Sequence, residues 1–307
     1  MNGSHMDADT AAWAMDQIMA GSVPDVTMAA FLVAHHGKGE TVDEMSGLVR
    51  AMYAHAVDLP GLSDAVDIVG TGGDRAKTVN VSSTASFIIA GAGQKVVKHG
   101  NRATSSASGS ADVLEVLGLT LDLTPAQSVS LAHEIGMAFA FANVYHPAMR
   151  FIAPVRRQIA VPSAFNVLGP LTNPARTRAT AIGVADPAMA PLVAGVLADR
   201  GDSALVFRSR DGLDEFSTTA VTDVWEVRNG AVLEAAVDAQ DLGLPRTTKA
   251  DLRGGDPSFN AGVMRRTLEG ESGAVRDIVL LNAAAALVAA SPDDAGPLID
   301  RLADKLS

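Results

Sequence analysis

The chain has 307 residues, 48% of them apolar, enough to bury a large core as one big domain or as two unequal ones. A formal net charge of −11 repels nucleic acid and anionic membranes, and an aromatic share of 4% offers no stacking platform for single strands. Cysteine is absent, which removes disulfide frameworks, thiolate catalysis and cysteine-based zinc or iron–sulfur sites.

Met1 to Met6, with Gly-Ser-His-Met inside, reads as the scar of a cleaved expression tag and is set aside. No apolar run reaches the roughly 18 to 20 residues a spanning helix needs, and no signal-peptide pattern follows, so the expectation is a cytoplasmic protein without membrane or nucleic-acid partners. The first sixty residues carry helical spacing: Met15, Ile18 and Met19 on one face, then Val42, Met45, Val49 and Met52. Thr41 with Glu44 three residues later forms a capping-box pattern. We expect a small helical domain over residues 7–62, completed by helices from about 160–180.

From Ala65 the pattern changes. Val66 to Val69 predicts a strand ending at glycines, Thr84 to Ala92 a helix, and Lys95 to Val97 the next strand, together a βαβ unit. Helical pieces follow at Ser110–Leu117 and Ala126–Glu134, and strands at Ala138–Phe141, Ala181–Val184 and Ala204–Phe207. Trp225 to Val237 predicts a hairpin turning at Asn229-Gly230, before helices near Val275–Ala290 and Ala295–Leu306. The fold class is α/β: the helical domain plus a large domain, residues 63–307, with a central, largely parallel sheet flanked by helices. Ligands of such sheets bind beyond the carboxyl ends of the strands, where Gly70 to Gly73 and Lys98-His99-Gly100 are expected to meet.

Gly70-Thr71-Gly72-Gly73-Asp74 matches neither the dinucleotide fingerprint nor the P-loop, and alone it is equally a tight strand-to-helix turn. Asn80-Val81-Ser82-Ser83-Thr84 adds an amide, hydroxyls and a helix N-terminus. Lys98-His99-Gly100-Asn101-Arg102 adds two cations with no core-packing reason to cluster, though surface charge is the plain alternative; Thr104, Ser105, Ser106, Ser108 and Ser110 follow. Together they describe a polyphosphate cradle. Asp211-Gly212-Leu213-Asp214-Glu215 is either a polar turn or carboxylates placed to hold Mg²⁺. The cations of His146-Pro147-Ala148-Met149-Arg150 and Ala153-Pro154-Val155-Arg156-Arg157 read by themselves as a solvated helix face. His133-Glu134 fails as a zinc motif because Met137 stands where the second histidine belongs, and no G-x-S-x-G elbow occurs.

In combination these motifs, with Lys38-Gly39-Glu40-Thr41, Asn166 to Pro174 and Gly254-Gly255-Asp256-Pro257, resemble the anthranilate phosphoribosyltransferases in family order along nearly the whole chain. The resemblance implies a nucleoside phosphorylase-like fold, a homodimer through the helical domains, and transfer of a phosphoribosyl group from phosphoribosyl pyrophosphate to anthranilate in tryptophan biosynthesis. It implies that phosphoribosyl pyrophosphate meets Gly70, Gly73, Asp74, Thr78, Asn80, Val81, Ser82, Ser83, residues Lys98, His99, Gly100, Asn101, Arg102, Ala103, Thr104, Ser105 and Ser106, and Ser110. Anthranilate would meet Gly70, His99, Asn101, His146, Arg156 and Gly169. Mg²⁺, two ions per subunit, would be held by Ser82, Asp214 and Glu215, with no side chain acting as nucleophile or general base. Arg75 and Ala107 depart from the family pattern, and Ser83 stands for its threonine. A pyrimidine nucleoside phosphorylase is disfavoured by the missing Lys-His-Ser-Thr-Gly-Gly loop, and a non-catalytic nucleic-acid binder by the charge of −11.

Overall fold

The computed structural model describes residues 3–103 and 107–307. It opens with three helices, α1 (Ala8–Met19), α2 (Asp25–Lys38) and α3 (Val42–Ala54), followed by β1 (Val66–Gly70), α4 (Val81–Gly91), β2 (Val96–Gly100), α5 (Ser110–Val116), α6 (Pro125–Ile135) and β3 (Met137–Phe141). Next come α7 (Ala142–Tyr145), α8 (Met149–Ile159), α9 (Phe165–Leu171), β4 (Ala179–Gly183), α10 (Met189–Arg200), β5 (Ser203–Ser209), β6 (Thr222–Arg228) and β7 (Ala231–Val237). The chain closes with α11 (Pro257–Leu268), α12 (Ala274–Ala289) and α13 (Leu298–Leu306).

One seven-stranded sheet has the order β3-β2-β1-β4-β5-β6-β7; its first five strands are parallel, and the β6–β7 hairpin continues the sheet antiparallel. Alternation along β5 sorts its side chains onto two faces. Ala204 and Val206 enter the apolar cluster built by α1, α2, α3, α8, α9 and α10, whereas Leu205 and Phe207 enter the cluster under α4, α12 and α13. Thus α8 and α9, far along the chain, share one core with the first three helices. The capping box at α3 is formed: Thr41 Oγ1 accepts from Glu44 N at 3.3 Å, and the Glu44 carboxylate accepts from Thr41 N at 3.0 Å. Gly47 lets α3 approach α1, since a Cβ there would overlap the Ala8 carbonyl oxygen. The hairpin turns at Asn229 and Gly230, with φ of 52° and 73°, the paired positive angles of a type I′ turn.

The structure shifts three expected boundaries. Lys98, His99 and Gly100 form the last part of β2 instead of a loop beyond it, because their strand continues alongside Phe139, Ala140 and Phe141 of β3. Helix α4 starts at Val81, three residues earlier than its apolar run suggests, with the Asn80 carbonyl accepting from both Thr84 N and Thr84 Oγ1. Helix α13 starts at Leu298, since Gly296 and Pro297 precede it.

Candidate active site

The carboxyl ends of β1 and β4 are paired glycine to glycine, Gly70 opposite Gly183. The segment after β5 lies directly against both. A Cβ on Gly70 would stand 2.5 Å from Asp214 Oδ2, and one on Gly183 would overlap the Asp214 main chain. This contact brings Asp214 to the glycine loop, where Gly72 N donates to its Oδ2 at 2.6 Å. Burial and the neighbouring Asp74 carboxylate push Asp214 up to about 7. Glu215, partly open to solvent, is pushed well above the usual carboxylate range by desolvation and by Asp214, against the pull of Lys98. Asn282 of α12 pins the segment from below, accepting from Phe216 N at 3.0 Å and donating to Phe216 O at 2.8 Å.

Lys98 is fully enclosed; its ammonium donates to Ile68 O at 2.6 Å and to Ser82 Oγ at 3.2 Å. Burial pushes its pKa down, opposed by Asp67 and Glu215. Ser82 stands in the first turn of α4, so its hydroxyl, Lys98 and the Asp214–Glu215 segment converge on one side of β2. The buried Asp67 carboxylate, pushed up to about 6 by desolvation, accepts from His99 N at 3.1 Å and from Asn173 Nδ2 at 2.8 Å, while Asn173 also donates to Val97 O at 2.7 Å. This network ties β1, β2 and the turn after α9.

His99 pairs through Nδ1 with Gly169 O at 3.0 Å. A carbonyl only accepts, so Nδ1 carries the proton and Nε2 presents a lone pair; that buried Nε2 has no partner among the described residues. By the same reasoning His146 donates through Nε2 to Thr172 O at 2.8 Å, and its ring centroid lies 5.0 Å from that of His99. Burial, with His146 and Lys98 nearby, pushes His99 down to about 3. Arg156 of α8 donates to Asn166 Oδ1 at 3.3 Å and lies 5.4 Å from the Phe165 ring centroid, so α8 and α9 carry Arg156 and Gly169 to the histidine side.

The remaining candidates are dispersed around this centre. Gly73 is exposed at φ 91°. Thr78 forms a β-bridge with Arg253. Asn80 donates to Ser108 O at 3.1 Å and accepts from Asn260 Nδ2 at 2.9 Å. Val81 and Ser83 are buried in α4. Asn101 Oδ1 accepts from Arg102 N at 2.8 Å, and Ser110 Oγ donates to Asn101 O at 3.2 Å. Gly100 gives Ser110 the space a Cβ would take. Arg102 is engaged, donating to Asp112 at 3.1 Å and to Glu115 at 2.8 and 3.1 Å, while Asp112 also accepts from Ala103 N and Gly109 N. Thr104, Ser105 and Ser106 lie outside the described residues.

Three contributors escape sequence reasoning: Asp67, Asn173 and Asn282. A carboxylate in the otherwise apolar strand Val66–Val69 and an amide in the Ala-rich α12 were the available signals. As a magnesium site, Ser82, Asp214 and Glu215 offer hard oxygen donors only, and a dication would offset the desolvation and repulsion that lift both carboxyl pKa values. Among the described residues no three acidic or histidine side chains already form a ligand cage.

Comparison with known proteins places this geometry in context. Residues 1–56 match the Glycosyl transferase family, helical bundle domain, and residues 62–304 the Glycosyl transferase family, a/b domain. The anthranilate phosphoribosyltransferase of Streptomyces griseus subsp. griseus is 58% identical over 308 residues, covering 100% of this chain and 86% of that protein. That of Arthrobacter sp. (strain FB24) is 56% identical over 100% of this chain and 87% of its own. Among solved structures, the anthranilate phosphoribosyltransferase of Thermus thermophilus superposes with a TM-score of 0.92 at 38% identity, covering 99% of this chain and 91% of that one. The Saccharomyces cerevisiae enzyme in complex with PRPP and Mg, 23% identical over 98% and 88% of the two chains, has a TM-score of 0.86 and shares the fold.

Proposed function

This chain belongs to the anthranilate phosphoribosyltransferase family, and we propose that it moves the phosphoribosyl group of 5-phosphoribosyl 1-pyrophosphate onto the amine of anthranilate, releasing pyrophosphate, in tryptophan biosynthesis. The observation that carries this reading is the division made by β2. Lys98 turns toward Ser82 and the Asp214–Glu215 segment, whereas the next residue, His99, turns toward Gly169 and His146. An anionic leaving group and a flat acceptor thus have separate sides of one strand.

On the first side, Ser82, Asp214 and Glu215 would hold Mg²⁺, two ions per subunit, and when bound the metal supplies positive charge to the departing pyrophosphate oxygens. The chain itself contributes the Lys98 ammonium, the loop N–H groups near Gly73, and the hydroxyls and amides of Thr78, Asn80 and Ser110. The remaining contacts to phosphoribosyl pyrophosphate that we propose run through Gly70, Asp74, Val81, Ser83 and residues 98–106. On the second side, the Arg156 guanidinium presents a planar fork suited to a carboxylate, with His99, Asn101, His146, Gly70 and Gly169 lining the acceptor's path. The amine of anthranilate is neutral at working pH, so positioning replaces deprotonation and no nucleophile or general base is assigned.

We further read residues 7–62 as the helical domain and 63–307 as the α/β domain. The exposure of Trp13 (66%), Val26 (82%) and Val33 (48%) supports a homodimer through the helical domains. No helix of the described residues is long and apolar enough to cross a membrane, and we propose a cytoplasmic location. Mixing the protein with Mg²⁺, phosphoribosyl pyrophosphate and anthranilate should quench anthranilate fluorescence as product forms. No quenching, with phosphorolysis of thymidine instead, would overturn the assignment.

A further inference from the structure

We propose that Arg75, Lys77 and Arg253 form a cationic lip that takes the pyrophosphate end of the substrate; this rests on the reading above. The floor beneath that end carries Asp74, Asp214 and Glu215, in a chain whose net charge is −11. A polyanion arriving there needs more positive charge from the protein than the single Lys98 ammonium supplies. Arg102 is paired with Asp112 and Glu115, and Arg156 lies on the acceptor side.

Arg75 directly follows Asp74, and Lys77 precedes Thr78. Both are exposed, and both hold left-handed backbone angles, φ of 58° and 55°, that favour glycine or asparagine. The fold therefore keeps a long cation at two positions where its backbone would be easier without one. Arg253 reaches the same loop from a distant part of the chain. Val79 N donates to Leu252 O at 3.0 Å, Gly254 N donates to Lys77 O at 2.9 Å, and Thr78 and Arg253 stand opposite one another in the antiparallel bridge. Directly opposed residues of such a pair project to the same face, so Arg253 shares the face of Thr78. Gly254 permits this approach, since a Cβ there would lie 2.6 Å from Thr78 O.

Among the described residues, none of the three cationic groups has an ion pair or a side-chain hydrogen bond, unlike Arg200 with Asp202 or Arg301 with Glu226. Three cationic groups without a partner among the described residues, carried on two bridged segments, offer one anion several positive contacts. Phosphate oxygens fit both the guanidinium fork and the ammonium.

The test is calorimetric titration of inorganic pyrophosphate, with ribose 5-phosphate in parallel, into the parent protein and R75Q/K77Q/R253Q, with Mg²⁺ present. The triple variant should bind pyrophosphate about 10-fold more weakly and lose most of the salt dependence between about 50 and 300 mM, with ribose 5-phosphate affected less than about twofold. R75K/K77R/R253K, which keeps the charge, should return affinity to within about threefold of the parent. R75G/K77G/R253Q, which removes charge and backbone strain together, should bind as weakly as the glutamine variant, while thermal melting reports that each protein is folded. Pyrophosphate affinity within twofold of the parent in the triple variant, or an equal loss for ribose 5-phosphate, would overturn the lip. The parent's own turnover of anthranilate, measured separately, tests the underlying reading, so the two can fail independently.

Discussion

Gly72 N donates to Asp214 Oδ2 across 2.6 Å, joining two residues 142 positions apart in the chain. The glycine loop is thereby fastened to the carboxylate it faces. D214N/E215Q should raise the half-saturating Mg²⁺ concentration for turnover at least about 10-fold. In magnesium-free buffer the same variant should melt no lower than the parent, since burial already disfavours the charged form of both carboxyls, while added Mg²⁺ should raise the melting temperature of the parent alone. An unchanged magnesium titration would remove both carboxylates from metal binding.

Arg156 stacks beside Phe165 and donates to Asn166, and its other guanidinium nitrogens have no side-chain partner among the described residues. Arg156→Ala should raise KM for anthranilate roughly 10-fold or more and KM for phosphoribosyl pyrophosphate less than about threefold; Arg156→Lys should restore little, because an ammonium lacks the planar fork. Equal changes in both constants would count against a carboxylate contact.

His99 is neutral in the folded protein down to about 3 against an ordinary value of 6.5. Below 6.5 the unfolded chain takes a proton that the folded chain refuses, so acid should cost stability through this residue. Compared with His99→Phe, which keeps a ring and cannot titrate, the parent should lose about 1.4 kcal/mol per pH unit as pH falls from 6.5 toward 4.5, and nothing above 7.5. Urea unfolding at four pH values measures this difference; a constant gap would mean that His99 titrates normally.

Asn282 satisfies both main-chain groups of Phe216, immediately after the acidic pair, and donates also to Ile278 O at 2.8 Å. Asn282→Ala should destabilise the protein by about 2 to 4 kcal/mol by leaving buried polar groups unpaired, and should weaken the magnesium response as well. Urea unfolding and a magnesium titration check the two effects; loss of stability with an intact magnesium response would confine Asn282 to the core.

The alternation of strands and helices was legible because side-chain periods of 2 and 3.6 are written locally, as in Val66–Val69 and in Met45, Val49 and Met52. The glycine loop and the Asp214–Glu215 pair were legible as motifs. Their mutual contact was not, since nothing local in either segment encodes a partner 142 positions away. Lys98 and Arg102 looked alike as clustered cations. Strand pairing buries the first, whereas the second clamps Asp112 and Glu115 in the first and second turns of α5. Asp67 and Asn173 could not be paired from sequence, because their bond depends on the turn after α9 folding back under β1 and β2.

The facing glycines Gly70 and Gly183 have a consequence for how the site can vary. Asp214 meets Gly183 through its main chain and Gly70 chiefly through its carboxylate, so its address is set jointly by the sheet and by the bond from Gly72 N. Chemistry and architecture therefore overlap at this position: exchanging the side chain at 214 would release the bond to Gly72 N but leave the main-chain seat at Gly183, whereas one methyl group at 183 would collide with the main chain itself. Variation in substrate handling has room along the upper loops. At Gly183 the packed backbone leaves no room for any side chain.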